Sequence, residues 1–240
     1  MPNTLEQAKY ELLLQARSIL TELKSLGVDD VYLQPAPEAL PLCAEGEQPC
    51  TGECRAETLD ELQSFNQCQG CPSATGAQQK VFGEGNPHAQ VVFVGERPTM
   101  NDVNAGAPFS GEAGQLLDKI LFAMDLSRSD VYLCSLVKCA SVQNSPAMQD
   151  EVAACEPVLK RQLATIRPQI VVALGTLPAQ ILLNKQQEMS HMRGTWSNYQ
   201  NIPLIATFHP NDLIRNPVTK REVWDDMKQV QHRLKQDGLS

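Results

Sequence analysis

The sequence lacks several features that would assign it at once to a class. No apolar run approaches the ~18 residues of a membrane-spanning helix, and no basic segment followed by an apolar one stands near Met1. We therefore expect a cytoplasmic protein that does not contact a membrane. No GxxxxGK[ST] loop occurs, and no glycine-rich turn has the dinucleotide-binding spacing, so neither type of nucleotide site is predicted.

Positive charge is also scarce, since the formal net charge is −8. The first 61 residues hold 12 of the 28 acidic side chains and 4 of the 20 basic ones, so they account for the whole imbalance. Residues 62–240 carry 16 of each sign and are neutral. The net charge therefore does not exclude a nucleic-acid partner, because a local basic face on the neutral part would suffice.

The chain is long enough for an ordinary buried core. With 240 residues and 42% apolar composition, it can form one large α/β domain or two small ones. Residues 5–26 have the period of an amphipathic helix, which would pack on the domain or on a partner protein. Residues 35–58 are acidic and rich in proline, as expected of a linker. We accordingly expect a helical appendage (1–34), this linker and a working domain (59–240).

Eight cysteines in a cytoplasmic chain favour metal ligands or reduced thiols over disulfides. Cys68 and Cys71 form a CxxC, and Cys139 and Cys155 follow as single residues. Four thiolates suit zinc or an iron–sulfur cluster, and their spacing alone leaves both open. Three further cysteines lie in the linker, as exposed thiols or as extra ligands: Cys43, Cys50 and Cys54.

From residue 80 onward, apolar strands alternate with helices. The pattern predicts strands at residues 91–94, 131–137, 170–174 and 202–206, and helices at residues 59–65, 113–124, 148–166, 178–183 and 220–235. Such alternation predicts a parallel four-stranded sheet with helices on both faces. Ligands bind such sheets at the carboxyl ends of the strands.

The residues that could take part in binding or catalysis lie at these strand ends. Gly95 lets the backbone approach a ligand closely, and Phe109 would either stack on a base or be pinned to the core. His209 follows the fourth strand, where a functional role outweighs a structural one. Arg215 and Lys220 could follow phosphates, although nearby acids make a solvated helix face an equal alternative.

Within residues 66–235 the chain contains, in order, the blocks CQGCPSA, VFGEGNP, VVFVGERP, GAPFSGEAGQLLDKIL, VYLCSLVKC, CEPVLKRQL, RPQIVVALG and FHPNDLIRNPVTKREVW. This series resembles the family 4 (iron–sulfur) uracil-DNA glycosylases. The resemblance implies a three-layer αβα sandwich around a central parallel four-stranded sheet. It also implies a [4Fe–4S] cluster whose ligands would be Cys68, Cys71, Cys139 and Cys155.

The activity implied by this resemblance is hydrolysis of the N-glycosidic bond of uracil, or of a related deaminated base, after the base is flipped out of DNA. His209 would donate to the uracil oxygen, and Asp102 would position the water. The substrate-binding residues would be Gly95, Glu96, Arg97, Phe109 and Ser135. The DNA-binding residues would be Pro210, Arg215, Asn216 and Lys220. We expect a monomer that acts on single- or double-stranded uracil-containing DNA.

The pocket departs from the family pattern. Arg97 and Thr99 add bulk where the family has small residues, and Asp102 is the one acid that follows Glu96 within the motif at residues 95–103. Ser135 stands where the family has asparagine, and a hydroxyl cannot replace the paired donor and acceptor of an amide. We therefore expect weaker discrimination against cytosine.

Two hypotheses follow from an intact scaffold with an altered pocket. The first is an active DNA-repair glycosylase with changed base specificity. The second is a catalytically weakened or inactive DNA-binding, replication-associated module with the same fold. In the second case the N-terminal helix and the acidic linker would recruit a protein partner.

Overall fold

The structure is a computed structural model that describes residues 58–64, 80–140, 147 and 149–236. All of these residues belong to the structural unit Cys54–Ser240. The predicted N-terminal helix, the linker with its three cysteines, and Cys68 and Cys71 lie outside the described residues.

The described residues form six β-strands and eight α-helices. The strands are β1 (Glu84–Gly85), β2 (Val91–Gly95), β3 (Tyr132–Ser135), β4 (Ile170–Leu174), β5 (Trp196–Tyr199) and β6 (Ile202–Thr207). The helices are α1 (Leu59–Ser64), α2 (Met100–Ala105), α3 (Glu112–Ala123), α4 (Gln149–Ile166), α5 (Thr176–Leu183), α6 (Met189–Met192), α7 (Pro210–Arg215) and α8 (Lys220–Gln236). A short 3₁₀ helix, Pro217–Thr219, separates α7 from α8.

The strands form one sheet in the order β1-β3-β2-β4-β6-β5. The four central strands are parallel, which confirms the predicted parallel sheet. The two edge strands, β1 and β5, are antiparallel to their neighbours and were not predicted. β1 consists of two exposed residues and β5 is only half-buried. Neither sequence therefore contains the continuous apolar run that identifies a buried strand.

Helices cover both faces of the sheet, because alternate residues of each central strand point to opposite sides. On one face, Val92 and Val94 pack with Leu159 and Leu163 of α4. On the other, Phe93 packs in a cluster with residues of α3 and α8: Leu117, Leu121, Val223, Met227 and Val230. The three-layer αβα architecture is therefore confirmed.

Three short helices were not predicted: α2, α6 and α7. Each has at most six residues, less than two helical turns, so the helical period in the sequence is weak. None of the described helices is long and apolar enough to cross a membrane.

Candidate active site

The register of the sheet brings the predicted strand ends to one edge. Gly95 lies level with Ser135 in the pairing of β2 with β3, and Leu174 lies level with Thr207 in the pairing of β4 with β6. His209 follows two residues after Thr207. Gly175 has a φ of 101°, and a Cβ at this position would come within 3.2 Å of the His209 Cβ. The glycine at the end of β4 therefore leaves room for the histidine at the end of β6.

His209 is held as the N-cap of α7. Its Nδ1 accepts a hydrogen bond of 3.1 Å from the backbone N–H of Asn211. Its own backbone N–H donates to Asp212 Oδ2 at 3.2 Å, and Pro210 occupies the first helical position. Because Nδ1 acts as an acceptor, the neutral ring carries its proton on Nε2. The cap therefore sets the tautomer of the imidazole and leaves Nε2–H as its donor.

The surroundings of His209 keep this ring neutral. Burial lowers the pKa of His209 below its ordinary value of 6.5, and Arg215 acts in the same direction. Asp212 and Asp102 act in the opposite direction but do not reverse the shift. Protonation of Nδ1 would also break its hydrogen bond with Asn211. A neutral imidazole donates a hydrogen bond without contributing a positive charge.

Phe109 forms a wall beside His209. The two rings are stacked with centroids 5.8 Å apart and planes 28° apart. A Cβ at Gly95 would come within 2.7 Å of the Phe109 Cζ, so the ring also lies against the end of β2. Phe109 is 8% exposed and belongs to a core cluster. The structure thus bears out the predicted attachment to the core, and stacking on a base stays a prediction.

Asp102 is buried at 5% exposure and already has several partners. Its Oδ2 accepts from the backbone N–H and the hydroxyl of Thr99, at 2.7 and 2.8 Å, which caps α2. Its Oδ1 accepts from the backbone N–H of Ser110 at 2.6 Å. A carboxylate has about four acceptor positions, so one remains for a water molecule.

Glu96 and Arg97 tie the loop after β2 to the region of α4. The Glu96 carboxylate accepts from the backbone N–H of Ala147 at 2.8 Å. Arg97 forms an ion pair with Glu151, and the two side chains are 9% and 7% exposed. Arg97 Nε is buried and has no hydrogen-bond partner within the part of the chain that the structure describes. Both predicted pocket residues therefore direct their side chains to structural contacts.

Ser135 ends β3 and is 4% exposed. Its backbone carbonyl accepts a 2.7 Å hydrogen bond from Lys138 Nζ, which also donates to Gln162 Oε1 at 2.6 Å. Burial lowers the pKa of Lys138 below its ordinary value, and negative charge on the Cys134 or Cys155 sulfur would oppose this shift. A buried lysine thus fixes the backbone at the end of β3.

The predicted DNA-contacting residues lie between the start of α7 and the first residue of α8. Arg215, Asn216 and Lys220 are exposed, and their contact with DNA stays a prediction. Pro210 is buried at the first position of α7, and its contact with DNA stays a prediction. Ile214 and Val218 add apolar surface to this region, at 42% and 80% exposure.

Two of the four predicted cluster ligands are described. Cys139 and Cys155 are 1% and 2% exposed and lie in one small cluster with Val137 and Val152. Two sulfur atoms buried in apolar surroundings fit half of a thiolate ligand set, although ordinary buried cysteines also have this environment. No group of three or more metal-ligand residues is found among residues 58–64, 80–140, 147 and 149–236.

The sequence interpretation missed how His209 is held. It predicted no helix directly after His209, although Pro210 at the first helical position and Asp212 at the third are a helix-start signal. It also missed Glu151 as the partner of Arg97. No local pattern marks a contact between residues this far apart in the chain.

Comparison with known proteins agrees with this geometry. The protein-family model described as "Uracil DNA glycosylase superfamily" matches residues 82–228. A type-4 uracil-DNA glycosylase of Saccharolobus solfataricus is 35% identical over 70% of this chain and 82% of its own length. Type-4 uracil-DNA glycosylases of Thermotoga maritima and Archaeoglobus fulgidus are 34% and 32% identical, over 76% and 72% of this chain and 98% and 92% of their own.

Proposed function

Because the chain belongs to the uracil-DNA glycosylase superfamily, we propose that it hydrolyses the N-glycosidic bond of uracil in DNA after the base has been flipped out of the helix. The observation that carries the proposal is the state of His209. Its Nδ1 accepts from Asn211, so its Nε2–H is available as a donor beside the Phe109 ring.

The chemistry requires a donor of this kind. Cleavage of the bond leaves negative charge on uracil and positive charge on the sugar. A fixed Nε2–H that faces the uracil oxygen stabilises the anion as it forms, without a proton transfer. The Phe109 ring supplies the stacking surface, and the backbone at Gly95, Glu96 and Arg97 lines the pocket.

Asp102 would hold the attacking water through its remaining acceptor position. The water adds to the sugar carbon, and its proton passes to solvent. Since the other acceptor positions bind Thr99 and Ser110, this carboxylate would hold the water by one hydrogen bond.

DNA would be bound along α7. Its six residues span about 9 Å, so His209 at the start and Arg215 at the end lie within reach of a single nucleotide and its neighbouring phosphates. Arg215 and Lys220 would contact phosphates. Exposed Ile214 and Val218 would fill the space in the stack that the flipped base leaves.

A [4Fe–4S] cluster would be held by Cys68, Cys71, Cys139 and Cys155. When bound it would cross-link the segment that carries the CxxC to the segment after β3 and to α4; hydrolysis itself involves no change of oxidation state. The test is metal analysis of the purified protein. We expect iron with broad absorption near ~400 nm, lost in Cys155→Ser, whereas bound zinc would contradict the assignment.

The test of the activity is release of uracil from single- and double-stranded DNA by the full chain. We expect His209→Ala to lower kcat by about 10²- to 10³-fold, as for loss of one preorganised donor. The matched control is His191→Ala, which removes an exposed histidine of α6 and should leave the rate unchanged. No turnover on uracil or on any other deaminated base would contradict the enzymatic function.

A second candidate function is favoured by the occupied carboxylate of Asp102 and by Ser135. In this case the chain binds DNA without base removal and recruits a protein partner through residues 1–60. Deletion of residues 1–60 separates the two candidates. It should leave uracil release intact if the chain is a glycosylase, and abolish partner binding if the chain is a recruiting module.

A further inference from the structure

Arg128, in the loop between α3 and β3, binds the loop that carries Phe109. Its Nη1 donates to the Pro108 carbonyl at 3.1 Å, and its Nη2 donates to the Phe109 carbonyl at 2.5 Å. The same guanidinium pairs with Asp118 at 2.7 Å and Glu84 at 3.2 Å. Two consecutive backbone carbonyls are thus fixed by one planar cation.

The backbone of Phe109 requires this support. Its φ is 54°, in the left-handed region that phenylalanine rarely adopts. Its carbonyl lies against the first turn of α3, where a Cβ at Gly114 would come within 1.5 Å of the oxygen. The next peptide N–H, that of Ser110, donates to Asp102 Oδ1. A cation on one side and an anion on the other therefore hold the chain on both sides of Phe109.

The ring position depends on this backbone. The Phe109 ring contacts the end of β2 at Gly95 and stacks on His209. If the φ of Phe109 relaxed to the ordinary region, its Cα–Cβ bond would turn and the ring would leave both surfaces. By holding the two carbonyls, Arg128 therefore also fixes the position of the Phe109 ring.

We propose that Arg128 is a positioning residue for base removal, which holds the Phe109 ring against His209 through the Pro108 and Phe109 carbonyls. The role in base removal rests on the proposed function. Lysine cannot perform it, because an ammonium is a point charge and lacks the planar fork that reaches two carbonyls and two carboxylates at once.

A purely stabilising role for the ion pairs is the alternative. Asp118 and Glu84 have side chains that are 46% and 44% exposed, and exposed pairs contribute little to stability. Asp118→Asn and Glu84→Gln remove these charges and leave both carbonyl contacts in place. They are the matched controls for Arg128→Met.

The first experiment is a double-mutant cycle in the full chain. We expect Arg128→Met and Phe109→Ala each to lower kcat by about 10- to 100-fold, as for a misplaced reacting group, with the controls within about twofold. The double variant should be no slower than Phe109→Ala alone. Losses that multiply in the double variant would overturn the positioning role.

The second experiment needs no substrate. The chain has four histidines, so the ring protons of His209 can be assigned by NMR with His209→Ala as reference. Because the Phe109 ring current acts on His209, Arg128→Met should move the His209 signals in the same direction as Phe109→Ala, and Asp118→Asn should not. Arg128→Lys keeps the charge and provides a second variant if Arg128→Met does not fold.

The two readouts separate the two proposals. Displaced His209 signals in a chain whose parent releases no base would refute the proposed function and keep Arg128 as the residue that holds Phe109. Unchanged His209 signals in both Arg128 variants would overturn the inference, whatever the activity of the parent chain.

Discussion

The Phe109 ring is stacked on the His209 ring, with 5.8 Å between the centroids and 28° between the planes. Phe109 comes from the loop before α3, whereas His209 directly precedes α7. Gly95 and Gly175, at neighbouring strand ends, leave room for the Phe109 ring and for the His209 side chain. The predictions below test the contacts that support this pair and the residues beside it.

The first prediction concerns pH. Burial lowers the pKa of His209 below 6.5, so the ring is neutral at pH 7 and above. We expect kcat/KM to be constant on that side and to fall as the pH drops through the folded-state pKa, because protonation removes the acceptor used by Asn211. The profile of kcat/KM between pH 4.5 and 8 measures this, with these limits chosen to bracket the ordinary histidine pKa of about 6.5.

The same shift affects stability. Between the unfolded pKa of about 6.5 and the lower folded value, the unfolded chain binds more protons, so the contribution of His209 to stability falls as the pH drops through this window. His209→Gln should lose this part of the pH dependence in urea unfolding.

For the reaction itself, a kcat/KM that increases on acidification would contradict the role of His209 as a neutral donor.

The second prediction concerns base selectivity. Ser135→Asn restores an amide at the end of β3 and should raise the preference for uracil over cytosine by about tenfold, since a bidentate base contact contributes roughly 1–3 kcal/mol. The measurement is the ratio of the two kcat/KM values on matched oligonucleotides. Ser135→Ala is the control and should not raise the ratio. If folded Ser135→Asn and the parent chain have the same uracil-to-cytosine ratio, this position does not read the base.

The third prediction concerns the buried ion pair. Arg97→Met leaves the Glu151 carboxylate without this cation at 7% exposure, and should destabilise the fold by about 3 kcal/mol. Arg97→Met combined with Glu151→Leu should recover much of this loss. Urea unfolding measures both values.

The control for this pair is Lys228→Met. Lys228 pairs with Asp225 on α8 at 53% and 51% exposure, so its loss should cost below about 0.5 kcal/mol. A similar cost for Arg97→Met would mean that the buried pair does not stabilise the loop after β2.

The fourth prediction compares two glycines. Gly114→Ala places a Cβ 1.5 Å from the Phe109 carbonyl oxygen, which should destabilise the fold by about 3 kcal/mol or more. Gly106→Ala places a Cβ in open space among the described residues at a φ of 71°, and should cost about 1 kcal/mol for the left-handed conformation alone. Equal shifts in thermal unfolding would contradict the close approach of Phe109 to α3.

Much of the fold could be predicted because buried strands and amphipathic helices leave a local pattern. The strand predicted at residues 170–174 is confirmed as β4, and the predicted closing helix is confirmed as α8. The strand predicted over residues 131–137 is shorter, Tyr132–Ser135, because burial continues beyond the last regular pair. A continuous apolar sequence indicates which residues are buried, but it does not indicate where the hydrogen bonds between strands end.

The candidate site was predicted in outline for a similar reason. Parallel strands place their carboxyl ends at one edge, so Gly95, Ser135 and His209 could be grouped before their positions were known. Side-chain roles were harder to predict. Asp102 and Arg97 were expected in the pocket, and the structure shows that Asp102 caps α2 and that Arg97 pairs with Glu151.

By itself, the sequence determined the parallel sheet, the strand ends that collect the site, and the family. These depend on hydrophobic periodicity and on residues that are neighbours in the chain. Only the tertiary structure decided which nitrogen of His209 carries the proton, which group holds Phe109, and which carboxylate pairs with Arg97. Such contacts join residues from distant elements, and their energies depend on distance and direction in three dimensions, so they leave no periodic signal in the sequence.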